Sequence, residues 1–390
     1  PSTSGVYMNA PRPWSVAALD DQITMPRYFA ANGYRTFSTG KIYHGSGLPP
    51  GDFNVVGPRP GQRLKGLDAR LVPATNGGAR GLWDFGPQSY DEDLFQDRVD
   101  ADWAIDVIRS HGTTDSPQPD QKPFFLAVGF YRPHVPFYSP ARIFKQIPID
   151  EIDLPPIKEN DRDDLPEIAS ELMVAPVAPP HQWFVEQGKW KEAVQSYLAC
   201  IRWTDEQVGR LLDALDKSGH SKNTIVVLYS DHGFFLGEKG RWAKQSLWER
   251  ATHVPFMIDA PGMKSGVICE HPTELLSIYP TLIELCGLPK RNDIDGFSLK
   301  TLLKNPDADW PHMAVTTHGK NNHTIRSHTH RYIQYRDGSE ELYDLRTDPN
   351  EWTNIASDPG QAKIKTELSR FIPDTNADAA RGNRLGKKNK

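Results

Sequence analysis

Apolar positions fall into two alternating kinds of run. Thr224-Ile225-Val226-Val227-Leu228 and the stretch from Pro123 to Phe130 are continuous, strand-length and apolar, which reads as strands buried on both faces. Each follows a segment with helical spacing. Leu198, Ile201, Val208, Leu211, Leu212 and Leu215 form one stripe between Tyr197 and Ser218, stopped by Gly219. Val99, Trp103, Ala104, Val107 and Ile108 form another ahead of Pro123. Near the start, Thr24 is placed to cap a helix with Pro26 in its first turn, Asn32-Gly33 ends it, and Tyr34 to Gly40 follows as a strand. Helices feeding buried strands predict an α/β fold, a mostly parallel sheet flanked by helices.

From about Ser139 to Lys189 the chain is rich in proline and acidic residues, which predicts a long surface excursion. A strand over Thr252 to Ile258 and a helix over Leu276 to Cys286 come next. Beyond about Leu302 the pattern changes to short strands: Thr324-Ile325-Arg326, Arg331 to Tyr335 and Glu341 to Leu345, the last two joined through Asp337-Gly338. The expected organisation is a main domain over 1–301, a small antiparallel α+β subdomain over 302–375, and a basic tail over 376–390 that is disordered from Arg381 to Lys390.

Composition adds exclusions. The net charge of −5 over 390 residues is spread along the chain and gives no nucleic-acid footprint. No apolar run is long enough to span a bilayer. Cys200, Cys269 and Cys286 are isolated, lack C-x-x-C spacing and read as buried thiols.

The candidate chemistry lies at the carboxyl ends of the strands, where open α/β sheets bind ligands. Lys41 and His44 follow the strand ending at Gly40. His134 lies in Tyr131-Arg132-Pro133-His134-Val135-Pro136-Phe137, and Asp231-His232 follows Leu228. Lys244 returns on the loop behind. A carboxylate beside an imidazole suits one cation, and lysines suit an anion, which is the layout of a metal-assisted ester hydrolase. Each residue alone has an ordinary structural reading; their convergence on one sheet edge points to a site.

These residues resemble the sulfatases of the alkaline phosphatase superfamily, and most closely the iduronate-2-sulfatase branch. The resemblance runs from Pro1-Ser2-Thr3-Ser4-Gly5-Val6-Tyr7 through Gly40-Lys41-Ile42-Tyr43-His44 and Arg132-Pro133-His134-Val135-Pro136-Phe137. It continues through Asp205 to Leu212 and Ser230-Asp231-His232-Gly233 to Glu341-Leu342-Tyr343-Asp344-Leu345 and Asp348-Pro349. The histidine after Asp231, and the two residues between Lys41 and His44, indicate the branch.

The resemblance implies an alkaline phosphatase-like fold with a small antiparallel C-terminal subdomain. It implies Asp231 and His232 as calcium ligands, and Lys41 and Lys244 as cations on the sulfate oxygens. His44 then faces a formylglycine nucleophile, and His134 meets the sulfate and the leaving oxygen. Phe234 and Lys239 are expected to face the sugar, with Arg132 beside His134 as a further cation for a substrate carboxylate. The implied partner is a sulfated sugar or polysaccharide, and the implied location is outside the cytosol, by export. The family's aspartate pair that completes the metal site, and its Cys-x-Pro-Ser-Arg segment, have no counterpart in residues 1–390, and Pro1 matches the residues after that segment. Residues 1–390 alone are therefore expected to be inactive. Two other readings stand beside this one: a noncatalytic anion or glycan binder, and a phosphodiesterase or phosphonate hydrolase of the same superfamily.

Overall fold

The parallel part of the fold starts from β1 (Arg35–Gly40), which pairs in parallel with β2 (Val55–Val56) on one side and with β4 (Phe124–Gly129) on the other. The computed structural model describes residues 1–45, 47–58, 83–111, 122–173 and 178–381. A second parallel pair joins β3 (Phe85–Gln88) to β5 (Phe137–Pro140). β6 (Val226–Tyr229) runs antiparallel to β7 (Phe256–Asp259). The helices Gln96–Ser110 and Trp190–Lys217 flank these strands, the second beginning seven residues before the periodicity announced it.

The strand ahead of Asp231 is half-buried rather than enclosed, with Tyr229 exposed, as is Met257 on its partner β7. Among the described residues, β4 and β6 each pair with one neighbour only, and this leaves their other faces and edges less covered than the apolar runs suggested. The 139–189 segment also differs from expectation. It is irregular, but Ile143, Ile152, Ile168 and Phe184 are buried, and Phe184 stacks on Trp242 at 4.1 Å in an aromatic core with Trp83, Phe85 and Phe137. Its few large apolar residues are spaced by prolines, so they anchor the segment without showing a period.

The C-terminal sheet has four antiparallel strands in the order β11-β10-β9-β8. These are β8 (Ala314–Thr317), β9 (His323–Arg326), β10 (His330–Gln334) and β11 (Glu340–Asp344). Of these, β8 was not legible. The start of the basic tail is paired with the N-terminal segment: Ala377 N–H donates to Ser2 O at 2.7 Å, Ala380 N–H to Gly5 O at 2.8 Å, and Tyr7 hydroxyl to Ala377 O at 2.9 Å. Backbone pairing thus orders 377–380, while residues 382–390 lie outside the described ones. Only Cys200 is buried; Cys286 is half-buried, and Cys269 is exposed, contrary to the expected buried thiol, because it sits in an irregular loop rather than a core element.

Candidate active site

Two glycines bring the first arms of the site together. Lys41 N–H donates to Gly129 O at 2.6 Å, and a Cβ on Gly129 would lie 2.0 Å from Lys41 O. Gly40 adopts φ +73°, and a Cβ there would lie 2.1 Å from Gly129 O. Only glycine permits this approach of two strand ends. It sets Lys41 beside the loop that carries His134: the Lys41 ammonium is 5.9 Å from the Tyr131 ring centroid, and that ring is 4.8 Å from His134.

Beneath this junction lies Asp100, fully buried. Its Oδ1 accepts from the Thr39 hydroxyl at 2.8 Å and from Gln96 at 3.1 Å, while Oδ2 has no hydrogen-bond partner among the described residues. Burial raises its carboxyl to about 6 from 3.8. Below about pH 4 folded and unfolded chains both hold this proton; as pH rises through 6 the folded chain must ionise a group that the unfolded chain has already ionised, so stability is lost. The side-chain amide introduced by Asp100→Asn cannot ionise. The variant's stability relative to the parent should therefore improve by about 2–3 kcal/mol between pH 4 and pH 7.5. Urea melts at both pH values check this; a pH-independent difference would refute the buried-carboxyl assignment.

The third arm follows β6. Gly233 N–H donates to Ala251 O at 2.8 Å, and a Cβ there would lie 2.1 Å from Arg250 O, so the Asp231-His232 turn is pressed onto the segment behind it. His232 Nδ1 lies 2.8 Å from Gly233 O; a carbonyl can only accept, so Nδ1 carries the proton and Nε2 is bare. That Nε2 is buried, has no hydrogen-bond partner among the described residues, and stands 3.5 Å from Asp231 Oδ1. Two acceptors facing each other call for a cation between them. The pair fits a divalent ion as part of a ligand set; among the described residues no cluster of three or more His, Cys, Asp or Glu side chains completes it. Lys41 Nζ is 3.9 Å from the other Asp231 oxygen.

Electrostatic coupling joins the remaining residues to this cluster. Burial lowers Lys244 to about 8 from 10.5, the Lys41 charge lowers it further, and Asp231 opposes both. His134 is pushed down to about 3, first by burial and then by Lys244 and Lys41. Its Nδ1 lies 2.8 Å from Val135 O and donates to it, so Nε2 is bare and the ring is neutral. His44 is lowered by burial, Lys41 and Lys244, and its Nε2 is 3.2 Å from the Asn9 amide nitrogen. Lys41, His44, His134, Asp231, His232 and Lys244 thus share one cluster, with two cations and neutral imidazoles beside one carboxylate. Asn9 escaped the sequence reading because a lone asparagine in an irregular segment carries no signal.

Three expected substrate-facing residues are engaged elsewhere. Lys239 is 4 % exposed; its ammonium donates to Asp161 Oδ1 at 3.2 Å and Glu351 O at 2.7 Å, against the rings of Trp248 and Tyr343. Arg132 donates to Tyr138 O at 2.8 Å and His134 O at 3.1 Å, bracing its own loop. Phe234 packs among Trp83, Phe137 and Tyr197. A loop sequence cannot show which way a side chain turns: Lys239 turns into the interior, and Arg132 and Phe234 are part-buried in contacts of their own.

The chain is similar to known proteins along most of its length. The sulfatase family model matches residues 1–288, and the model for the C-terminal part of N-sulphoglucosamine sulphohydrolase matches 237–378. A sulfatase of Formosa agariphila is 38 % identical over 394 residues, spanning 97 % of this chain and 75 % of the relative. Human iduronate 2-sulfatase is 29 % identical over 72 % of this chain, which spans only 59 % of the human protein. The fold is shared with a phosphonate monoester hydrolase from Silicibacter pomeroyi, at TM-score 0.72 and 18 % identity over 99 % of this chain and 89 % of that one. It is shared too with a protein solved in complex with its substrate D-glucosamine-2-N,6-O-disulfate, at TM-score 0.65 and 22 % identity over 90 % and 81 %.

Proposed function

The chain belongs to the sulfatase family, and from that premise we propose that the cluster is the sulfate-recognition centre of a sulfuric ester hydrolase acting on sulfated sugars. The observation that carries this is Lys41 at 3.9 Å from Asp231 with Lys244 electrostatically coupled to both, beside bare imidazole nitrogens on His134 and His232. The lysines hold the sulfate oxygens, where negative charge concentrates. His134 is neutral in the free site, takes up a proton as the anion arrives, and then has that proton on Nε2 to give to the departing alkoxide. His44, held by Asn9, faces the nucleophile's side. Asp231 and His232 would hold calcium, which supplies Lewis-acid polarisation of the sulfate. None of the three cysteines stands in Cys-x-Pro-Ser-Arg order, so we propose that residues 1–390 bind sulfate esters without turning them over; a formylglycine presented to the site would supply the nucleophile.

Likeness to iduronate 2-sulfatases supports a uronate-containing substrate. Arg132 and Lys239 lend it no support, since both are committed internally. Calorimetry with sulfated disaccharides and their desulfated counterparts tests the proposal on the chain itself. Binding that disappears with the sulfate is expected; equal binding of both would refute it.

With one carboxylate and one imidazole as ligands, calcium should bind with Kd of about a millimolar or weaker, because affinity rises with ligand number and charge. Calorimetric titration checks this. Micromolar binding would mean that other residues complete the set.

A further inference from the structure

We propose that Asp97 is a positioning residue for His134, holding the imidazole's loop against the cluster from the helix behind it. Asp97 lies in the first turn of Gln96–Ser110 and is 3 % exposed. Its Oδ1 accepts from Tyr131 N–H at 2.5 Å and its Oδ2 accepts from Arg132 N–H at 3.4 Å, across 34 and 35 residues of sequence. Both carboxylate oxygens are thus spent on consecutive amides at the point where the chain leaves β4.

The loop is tied from its far side as well. The Arg132 guanidinium closes it by donating to His134 O and Tyr138 O, and the Thr204 hydroxyl donates to Arg132 O at 3.2 Å from the long helix Trp190–Lys217. The Tyr131 ring, fixed by the first amide, stands between His134 at 4.8 Å and the Lys41 ammonium at 5.9 Å. A shift at residues 131 and 132 therefore moves the two arms of the site relative to each other. Solvation alone gives no reason to bury a carboxylate here; two amides that must be held in one place do. An amide side chain cannot replace it, since its NH2 would face one of the two N–H groups.

This inference rests on the proposed sulfate site for its meaning, but its test separates the two. In the full chain, 15N spectra of the histidine rings report the His134 tautomer, and titration with sodium sulfate reports anion binding. The parent should show His134 protonated on Nδ1. Asp97→Asn should mix the two neutral tautomers and weaken sulfate binding about tenfold. Asp102→Asn is the control: it breaks ion pairs with Arg98 on its own helix and with Arg210 on Trp190–Lys217, none of which touches the loop, and should leave both readouts as in the parent. Should Asp97→Asn fail to fold, Arg132→Gln releases the loop from its other end and should give the same mixed tautomer. A parental tautomer and sulfate affinity in Asp97→Asn, or in Arg132→Gln where the first does not fold, would overturn the proposal. Absence of sulfate binding by the parent would instead refute the sulfate site, while the tautomer would still decide the role of Asp97.

Discussion

Lys244→Ala should weaken binding of inorganic sulfate roughly 10- to 150-fold at pH 7, the range set by about 1.5–3 kcal/mol for a hydrogen bond to a charged group. The half-buried ammonium faces the same cluster as Lys41, and each lowers the pKa of His134 and His44. In the proposed site, losing one of the two cations removes a direct contact to the anion and about half of the attractive field. The sign of the pH dependence follows from the same geometry. Lys244 is lowered to about 8, so its charge, and with it the sulfate affinity, is present below that value and lost as pH rises through it. A bound anion moves the fall upward. Lys244→Arg stays charged throughout and should bind sulfate at pH 9 nearly as well as at pH 7. Calorimetry of the three proteins at both pH values checks this; an unchanged affinity in Lys244→Ala would remove the lysine from the site.

Lys239→Met is expected to do the reverse, lowering the melting temperature while leaving sulfate affinity untouched. Removing one member of a buried ion pair costs about 3–5 kcal/mol because the partner charge is stranded, and Asp161 is 6 % exposed. With the unfolding entropy of a 390-residue chain, that is a fall of about 4–6 °C. Lys239 belongs to a larger buried network in which Arg331 pairs with Glu249 and with Glu351 at 2.6 Å, and Glu341 accepts from Trp248 at 2.7 Å, Tyr335 at 2.5 Å and Tyr343 at 2.6 Å. The network joins the C-terminal sheet to the segment behind Asp231. Differential scanning calorimetry and sulfate titration of Lys239→Met decide between this role and contact with substrate: a normal melting temperature with weakened binding would restore the lysine to the site.

The contrast between Lys244 and Lys239 shows what the sequence could convey. Strand ends were legible because apolar runs stop abruptly, as at Gly40 and Leu228, and residues just beyond a strand's carboxyl end in an α/β sheet share an edge. That logic brought Lys41, His44, His134 and Asp231-His232 together without any contact being known. It has no purchase on loops. Lys239 is five residues from Lys244 and carries the same side chain, yet a left-handed backbone at φ 49° turns it into the interior. Arg132 is two residues from His134, yet its side chain binds carbonyls of its own loop. Tertiary partners such as Asp161, Glu351 and Tyr138 decide these directions, and no local period encodes them. The same limit hid β8, whose four residues Ala314–Thr317 are too short to show alternation, and Asp97, whose carboxylate interrupts the apolar stripe of its helix in a position that reads as a solvent-facing first turn.

The resemblance supplied the roles and the geometry supplies their conditions. His134 can donate a proton to a leaving oxygen only after it has gained one, because its Nδ1–H is given to Val135 O and Nε2 is bare. Sulfate binding should also take up protons near pH 8, where Lys244 is half-protonated in the free site and the anion favours its charged form; calorimetry in two buffers of different ionisation enthalpy checks this. The most direct measurement is a crystal of the protein soaked in sodium selenate and located by selenium anomalous scattering. The site described here requires one strong peak in contact with the Lys41 and Lys244 ammonium groups and His134 Nε2. Selenate bound elsewhere, with that cluster empty at saturating concentration, would contradict it.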